Sequence, residues 1–357
     1  MAYTTIDDPS AHFQVETYTG AGANTSVTFS GNSDLKPDFL WLKNRTAGYA
    51  HAAFDSNRNL GSAVNAPFLE PNDTGTENSN QNWWNATNYG INTDGFQFGS
   101  VSEHNLNNLG SEYVAWAWKA NGGTTSSNTD GSITSTVQAN QDAGFSIVTY
   151  TTAGSTATIG HGLGAKPDVI LLKKRNGAIS WYVRHVSTGT SYLNLNLTSA
   201  AVSNPTATWT TTEPTTSVYS IGTSSDFNIN GGEYLAYCFA EKQGYSKFGK
   251  YVGNGSTDGS FIYTGFKPAV IILKRTDSAK NWNIITGATI QENVIDERFN
   301  LNLGNIQSVS DWADFVSNGF KLRTTNASIN ASGGTYIFMA FAENPFTTSS
   351  GIPTTGR

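Results

Sequence analysis

The sequence predicts an all-β protein, a tandem of antiparallel, jelly-roll-like β-sandwich repeats with little helix. Two observations carry this expectation: short apolar strands recur at a spacing of about 100 residues, and no long stretch shows a 3.6-residue apolar stripe. Composition agrees with it. Charged residues supply 13% of the chain, about half the usual share, while 36 glycines and roughly one third Ser, Thr and Asn mark many polar turns. At 357 residues the chain is too long for one ordinary domain of roughly 100–200 residues.

The recurrence is visible when the chain is laid against itself. Lys36-Pro-Asp-Phe-Leu-Trp-Leu-Lys-Asn-Arg45, Lys166-Pro-Asp-Val-Ile-Leu-Leu-Lys-Lys-Arg175 and Lys267-Pro-Ala-Val-Ile-Ile-Leu-Lys-Arg275 each read as one buried strand. Proline opens it, a short apolar run follows, and a basic end is expected to reach water. A closing strand follows each at Tyr113-Val-Ala-Trp-Ala-Trp118, Tyr234-Leu-Ala-Tyr-Cys-Phe239 and Tyr336-Ile-Phe-Met-Ala-Phe341, at 77, 68 and 69 residues from the lysine before proline. These closing strands are apolar at every position, so both of their faces are expected to be covered, and adjacent units are expected to pack. Upstream, Tyr18, Tyr150 and Tyr251 each sit in an opening strand that runs into a polar turn. Trp181 and Trp282 stand fifteen residues beyond their lysines, where copy one has His51, so copy one is the most diverged.

The units are expected at residues 1–120, 144–242 and 243–346, the first carrying a long polar insertion. Residues 121–143 read as a linker with one short strand, because Asn121-Gly-Gly-Thr-Thr-Ser-Ser-Asn128 is flexible by composition. Between copies two and three only Lys242-Gln-Gly-Tyr-Ser246 intervenes, so those two are expected to form one rigid body. The tail, residues 347–357, lacks a core pattern and is expected to need an outside partner to be ordered.

Several chemistries lack support. The formal charge of −6 comes from scattered residues with no basic stripe, which disfavours nucleic acid as a partner. No run of about 18 apolar residues exists, and the first 24 residues have neither a basic start nor an apolar segment, so no membrane insertion or secretion signal is expected. The single Cys238 lies in an apolar run and reads as a buried thiol. The five histidines, His12, His51, His104, His161 and His185, stand apart from one another, so no metal site is expected. Glu103-His104 is an isolated dipeptide, and no nucleophile elbow occurs. Gly160-His-Gly-Leu-Gly164 and Gly253-Asn-Gly255 read as turns, since neither has the Lys-Ser/Thr sequel of a phosphate loop, and no cofactor is expected. Asp55-Ser-Asn-Arg-Asn59 begins like a calcium loop, but Leu60 holds the place of its glycine and Ala66 that of the closing carboxylate.

Aromatic residues make up 12% of the chain. Trp41, Trp116, Trp118 and Trp181 fall in strand-like runs and read as core. Trp83 and Trp84 lie in the polar stretch Asn78-Ser-Asn-Gln-Asn-Trp-Trp-Asn-Ala-Thr87, and Trp209 in an equally polar Thr-rich one. Those three are the candidate contacts for a glycan or a partner protein, because an exposed ring flanked by amides can stack on a sugar; packing under a loop or against another subunit is the competing reading.

Gly144-Phe-Ser-Ile-Val-Thr-Tyr150, His161-Gly-Leu-Gly-Ala-Lys-Pro167, the basic-ended strand and Trp181 together resemble a repeated domain of tailed-bacteriophage structural proteins, particularly of marine and cyanobacterial phages. Asn318-Gly-Phe-Lys-Leu322, Ala327-Ser-Ile-Asn-Ala-Ser-Gly-Gly-Thr-Tyr336 and Ala340-Phe-Ala-Glu-Asn-Pro-Phe346 resemble it more closely still. The resemblance implies a non-enzymatic virion component, with no catalytic residues carried over. Its expected place is the virion surface, made in the host cytoplasm and released by lysis. A tail fibre or appendage contacting the host surface is the leading expectation; a capsid decoration or vertex protein and a polysaccharide-degrading tailspike are the alternatives. The implied partners are other virion proteins, further copies in a homo-oligomer, and a host surface glycan.

Overall fold

The computed structural model describes residues 3–58, 66–78, 90–98, 105–203, 207–288 and 292–354. The protein is all-β and antiparallel, with only single 3-10 turns as helix among the described residues; no helix there is long and apolar enough to cross a membrane. Copy one contributes β1 (Phe13–Thr19), β2 (Thr25–Val27), β3 (Phe39–Asn44), β4 (Ala52–Asp55), β5 (Phe68–Leu69), β6 (Gly90–Ile91), β7 (Phe96–Phe98) and β8 (Glu112–Trp118). Then come β9 (Ser126–Asn128), β10 (Ser135–Asn140), β11 (Phe145–Thr151), β12 (Ala157–Gly160), β13 (Val169–Lys174), β14 (Tyr182–His185), β15 (Ser191–Asn194), β16 (Val202–Ser203), β17 (Val218–Ile221) and β18 (Glu233–Phe239). Copy three supplies β19 (Ser246–Val252), β20 (Phe261–Tyr263), β21 (Phe266–Arg275), β22 (Asn283–Thr286), β23 (Ile295–Asn300), β24 (Ser308–Val316), β25 (Gly319–Leu322) and β26 (Thr335–Pro345).

The matched segments occupy matching places. Opening, closing, proline-led, fourth and fifth strands lie side by side as β1-β8-β3-β4-β5, β11-β18-β13-β14-β15 and β19-β26-β21-β22-β23. The pairs β2-β7, β12-β17 and β20-β25 recur likewise; in copy three they join the main sheet, which curls into a nearly closed barrel. Gly144 shows how an opening strand is aimed. At φ +67° it turns the chain beneath β18, where a Cβ would lie 2.2 Å from the Ala240 carbonyl oxygen.

Alternation along the central strands explains why they are apolar throughout. Tyr113, Ala115 and Ala117 of β8 face a core belonging to copy one, while Val114, Trp116 and Trp118 face a second core. Leu235, Tyr237 and Phe239 of β18 and Ile337, Met339 and Phe341 of β26 face that same second core, and their alternate neighbours face cores of their own. Three sheets therefore close around one shared interior, and Trp41, Trp116, Trp118, Trp181 and Trp282 are all buried in it.

Polar contacts between copies follow a cycle. Trp282 Nε1 donates to the Asn194 carbonyl at 2.8 Å, and Trp181 Nε1 to the Glu70 carbonyl at 3.0 Å, so copy three grips copy two and copy two grips copy one. Copy one closes the ring through His51, whose Nε2 lies 3.2 Å from the Asn300 carbonyl of copy three. The residue that marked copy one as diverged thus makes the same bridge with a smaller ring. The expected water-facing basic ends are also corrected. Lys43, Lys173 and Lys274 are buried and donate to carbonyls of the adjoining copy, Gly304 at 3.1 Å, Thr74 at 3.1 Å and Thr198 at 3.2 Å. A cation can be held there because each ammonium finds carbonyl acceptors in a place where water is excluded.

Two expectations about connecting segments are overturned. Residues 121–143 do hold a short strand, as expected, but it is β10, which pairs along β11 with β9 along its other side, so the segment extends the second sheet and is not a loose linker. The joint itself is pinned by Gly122 N–H on Asp38 at 2.8 Å and Gly123 N–H on Gln138 at 3.0 Å. The tail through Thr354 finds its partner within the chain. It turns back on itself, Thr348 N–H to the Ile352 carbonyl at 2.9 Å, and Ser349 N–H donates to Asp7 at 2.6 Å near the other terminus.

Candidate functional site

Of the three candidate tryptophans, only Trp209 is among the described residues. Trp83 and Trp84 lie outside the described residues, as does Glu103-His104. Trp209 is 2% exposed and sits at right angles to Phe227, centroids 4.9 Å apart, with Tyr219 on a further side. The packing reading is the one that holds, and the residues that cover the ring come from β17 and the loop after it. Trp209 is therefore a core residue of copy two and has no face to offer a sugar.

Titratable groups gather instead at contacts between copies. Asp55, at the end of β4, receives Arg58 Nε at 2.6 Å and the Tyr237 hydroxyl of copy two at 2.7 Å. Arg58 reaches on to Glu77 at 3.1 Å, and Arg175 of copy two meets Glu77 at 2.7 Å. Burial alone would lower the Arg58 value, but Asp55, Tyr237 and Glu77 hold it above the ordinary one; Glu77, which burial would raise, is held low by Arg175 and Arg58. The Asp55 oxygens that suggested a calcium loop are thus occupied by an arginine and a tyrosine. Across the third contact Arg45 pairs with Glu297 at 2.5 Å. Removing one member of such a buried network strands the others without a partner. Asp55→Ala is expected to cost about 3–5 kcal/mol of stability by urea denaturation; a loss below about 1 kcal/mol would show the network to be dispensable.

Three histidines share one arrangement. His51 Nδ1 accepts from Trp41 Nε1 at 3.0 Å, His185 Nδ1 from Ser187 N–H at 3.1 Å and His161 Nδ1 from Leu163 N–H at 3.2 Å. The other nitrogen of each lies within 3.1–3.3 Å of a carbonyl oxygen, those of Asn300, Phe338 and Thr215. Each ring is therefore neutral with its proton on Nε2, since Nδ1 already faces a donor. Burial lowers His51 to about 3, helped by nearby Lys43, and lowers His161 and His185 to about 4. The same cause brings Lys43, Lys173 and Lys274 down to about 8 and pushes the buried Cys238 thiol up. Among the described residues no group of three His, Cys, Asp or Glu side chains is placed to hold a metal ion.

Copy by copy, Lys43, Lys173, Lys274, His51, His185, Arg45 and the Asp55 network engage carbonyls and ion-pair partners across the shared contacts, an arrangement that holds pieces together. The stretch that carries it coincides with a known unit. The chain belongs to the family described as domain of unknown function DUF7483, which matches residues 8–345. That match starts just ahead of β1 and ends with β26, so the DUF7483 unit is the whole three-copy ring and not one copy of it. No curated protein and no solved structure matches the chain.

Sequence reasoning missed the three lysines and the histidine bridge. A signal was available: Lys43, Lys173 and Lys274 stand at the same place in three apolar strands, and a basic residue repeated beside the core marks a fixed internal contact.

Proposed function

We propose that this is a non-enzymatic structural protein of a phage particle, three tandem jelly-roll-like β-sandwich modules locked into one body that presents its surface outside the virion. The observation that carries this reading is the closed cycle of contacts between copies. A protein in which Trp282, Trp181 and His51 each bridge to the adjoining copy is suited to carry load, and its ionisable interior is bound up in that role. The resemblance to tailed-phage structural proteins supports the same assignment.

Attachment to the host surface as a tail fibre or appendage is the leading form of the proposal, with affinity built by several copies acting together in a homo-oligomer. A second form, in which the chain decorates the capsid or another virion part, is favoured by one specific observation. Copy three exposes Val252, Phe261 and Tyr263 at 57%, 49% and 56%, in a region joined by Phe346 and Ile352, where contact with another virion protein would bury them. Immunogold labelling of purified particles with an antibody to this chain tests both. Label on fibres or tail tips is the expected result, label over the head selects decoration, and particles without label contradict the proposal. Release of reducing sugar from host polysaccharide by the purified protein would instead select the tailspike.

A further inference from the structure

We propose that the open edge of β1 is a docking site for an extended segment of a partner polypeptide carrying a lysine or arginine, which adds to the first sheet as an antiparallel strand. The inference is independent of where the protein sits on a particle. It rests on comparing three equivalent edges. In copy two the outer edge of β11 is covered by β10, with Ser135 opposite Tyr150 through Asn140 opposite Phe145. In copy three the turn Val186–Thr188 lies against β19. In copy one β1 is the last strand of its sheet, and a cleft of about 420 Å³ runs beside it, between copies one and three.

The direction of the free groups follows from register. Lys119 N–H donates to the His12 carbonyl and Gly20 N–H to the Ser111 carbonyl, so even-numbered residues of β1 bond to β8 and the odd ones turn outward. Val15 and Thr17 therefore aim their N–H and C=O groups away from β8, as Ile147 and Thr149 do toward β10. Among the described residues, Thr17 N–H is met, at 3.1 Å, only by the carboxylate of its own neighbour Glu16.

The cleft is open for an identifiable reason. Ser56 N–H, Val186 N–H and Gly287 N–H make the same bond, to the carbonyls of Asp38, Asp168 and Ala269, which aligns Asn57 with Ser187 and with Ala288. Asn57 reaches into copy two and donates to the Thr136 and Ile147 carbonyls, at 3.2 and 3.0 Å. Ala288 has no side-chain donor to give the corresponding Val15 carbonyl, and the cleft lies where that amide would be.

Shape and charge choose the occupant. Asn32 of copy one and Glu343 with Asn344 of copy three line the recess beside β1, so an incoming extended segment meets polar side chains from both copies. About four residues of edge are available, a length of about 13 Å. Glu343 is neutralised by Lys267 at 2.8 Å, whereas Glu16 forms no ion pair among the described residues and its Oε2 is buried with no hydrogen-bond partner. A basic side chain on the incoming strand supplies that partner, and main-chain pairing supplies the rest.

The probe is a blocked hexapeptide, Ser-Thr-Lys-Gln-Ala-Asn, which is the β10 sequence with lysine opposite Glu16. At about 1 mM, a concentration suited to weak binding, amide exchange followed by NMR is expected to slow at least about tenfold at Val15 and Thr17. Exchange at Gln14 and Glu16 is expected to stay as it was. Ala288→Asn, which installs the amide of copy one, is expected to abolish this protection with an unchanged melting temperature; Val15→Pro, which deletes an outward N–H together with a side chain packed on the shared interior, is expected to abolish the protection at Thr17 with a lowered melting temperature. No slowing at Val15 and Thr17, or slowing that persists in Ala288→Asn, overturns the proposal. Concentration-dependent dimerisation that Ala288→Asn abolishes would give the edge to a second copy and overturn it as well.

Discussion

Lowering the pH from 7 to 5 is expected to remove much of the folding stability. His51, His161 and His185 titrate near 3, 4 and 4 in the folded protein, against about 6.5 when unfolded. Below pH 6.5 the unfolded chain therefore binds more protons, so stability is complete above that value and falls as the pH drops toward 4. By pH 5 each histidine contributes a loss of about 2 kcal/mol, roughly 6 kcal/mol in all, comparable with the total stability of many domains. Glu70 and Asp168, whose carboxyls burial pushes up, act with the opposite sign and offset part of this. Geometry gives the reason for the cost. A proton added to Nδ1 would point at an N–H donor, from Trp41, Leu163 or Ser187, in a place water does not reach. Two of the three rings bridge copies, so their charging works against the ring itself. Urea midpoints at pH 7, 6 and 5 measure the effect. The single replacements His51→Gln, His161→Gln and His185→Gln are each expected to flatten the slope by about a third; a midpoint that does not move between pH 7 and 5 contradicts the account.

Trp282→Ala is expected to cost about 3–5 kcal/mol, the range for emptying a large aromatic site in a packed core. The ring is 1% exposed, lies in the shared interior, and ties copy three to copy two through the Asn194 carbonyl. Trp181→Ala is expected to match it, since Trp181 makes the corresponding bridge to Glu70. Substitutions on the outward side of β20, such as Tyr263→Ala, remove a half-exposed ring and are expected to stay within about 0.5 kcal/mol. A near-neutral Trp282→Ala would mean that the shared interior contributes little to holding the copies together.

Which parts of this were legible in the sequence follows from how local the determining contacts are. The proline-led and closing strands were readable because β-branched and aromatic runs, with proline and glycine at their ends, act within ten residues. Their continuous apolar character announced a second covered face, and the shared interior is that face. For Trp209 the packing reading holds over the sugar-contact reading, and its Thr-rich neighbourhood could not decide between them because Tyr219 and Phe227, which cover it, lie outside that stretch. The tail was misread for the same reason, its anchor Asp7 standing at the far end of the chain. The buried lysines read as solvent-facing ends in the sequence because the carbonyls that satisfy them belong to another copy. The edge of β1 could not be found from sequence at all, since it depends on which of three similar strands lacks a neighbour.

Differential scanning calorimetry at neutral pH tests the central claim, that three copies share one interior and form a single cooperative body. The account predicts one transition with a calorimetric to van't Hoff enthalpy ratio of about one, shifted as a whole by Trp282→Ala. Two or three separable transitions, with only the last displaced by that substitution, would contradict it.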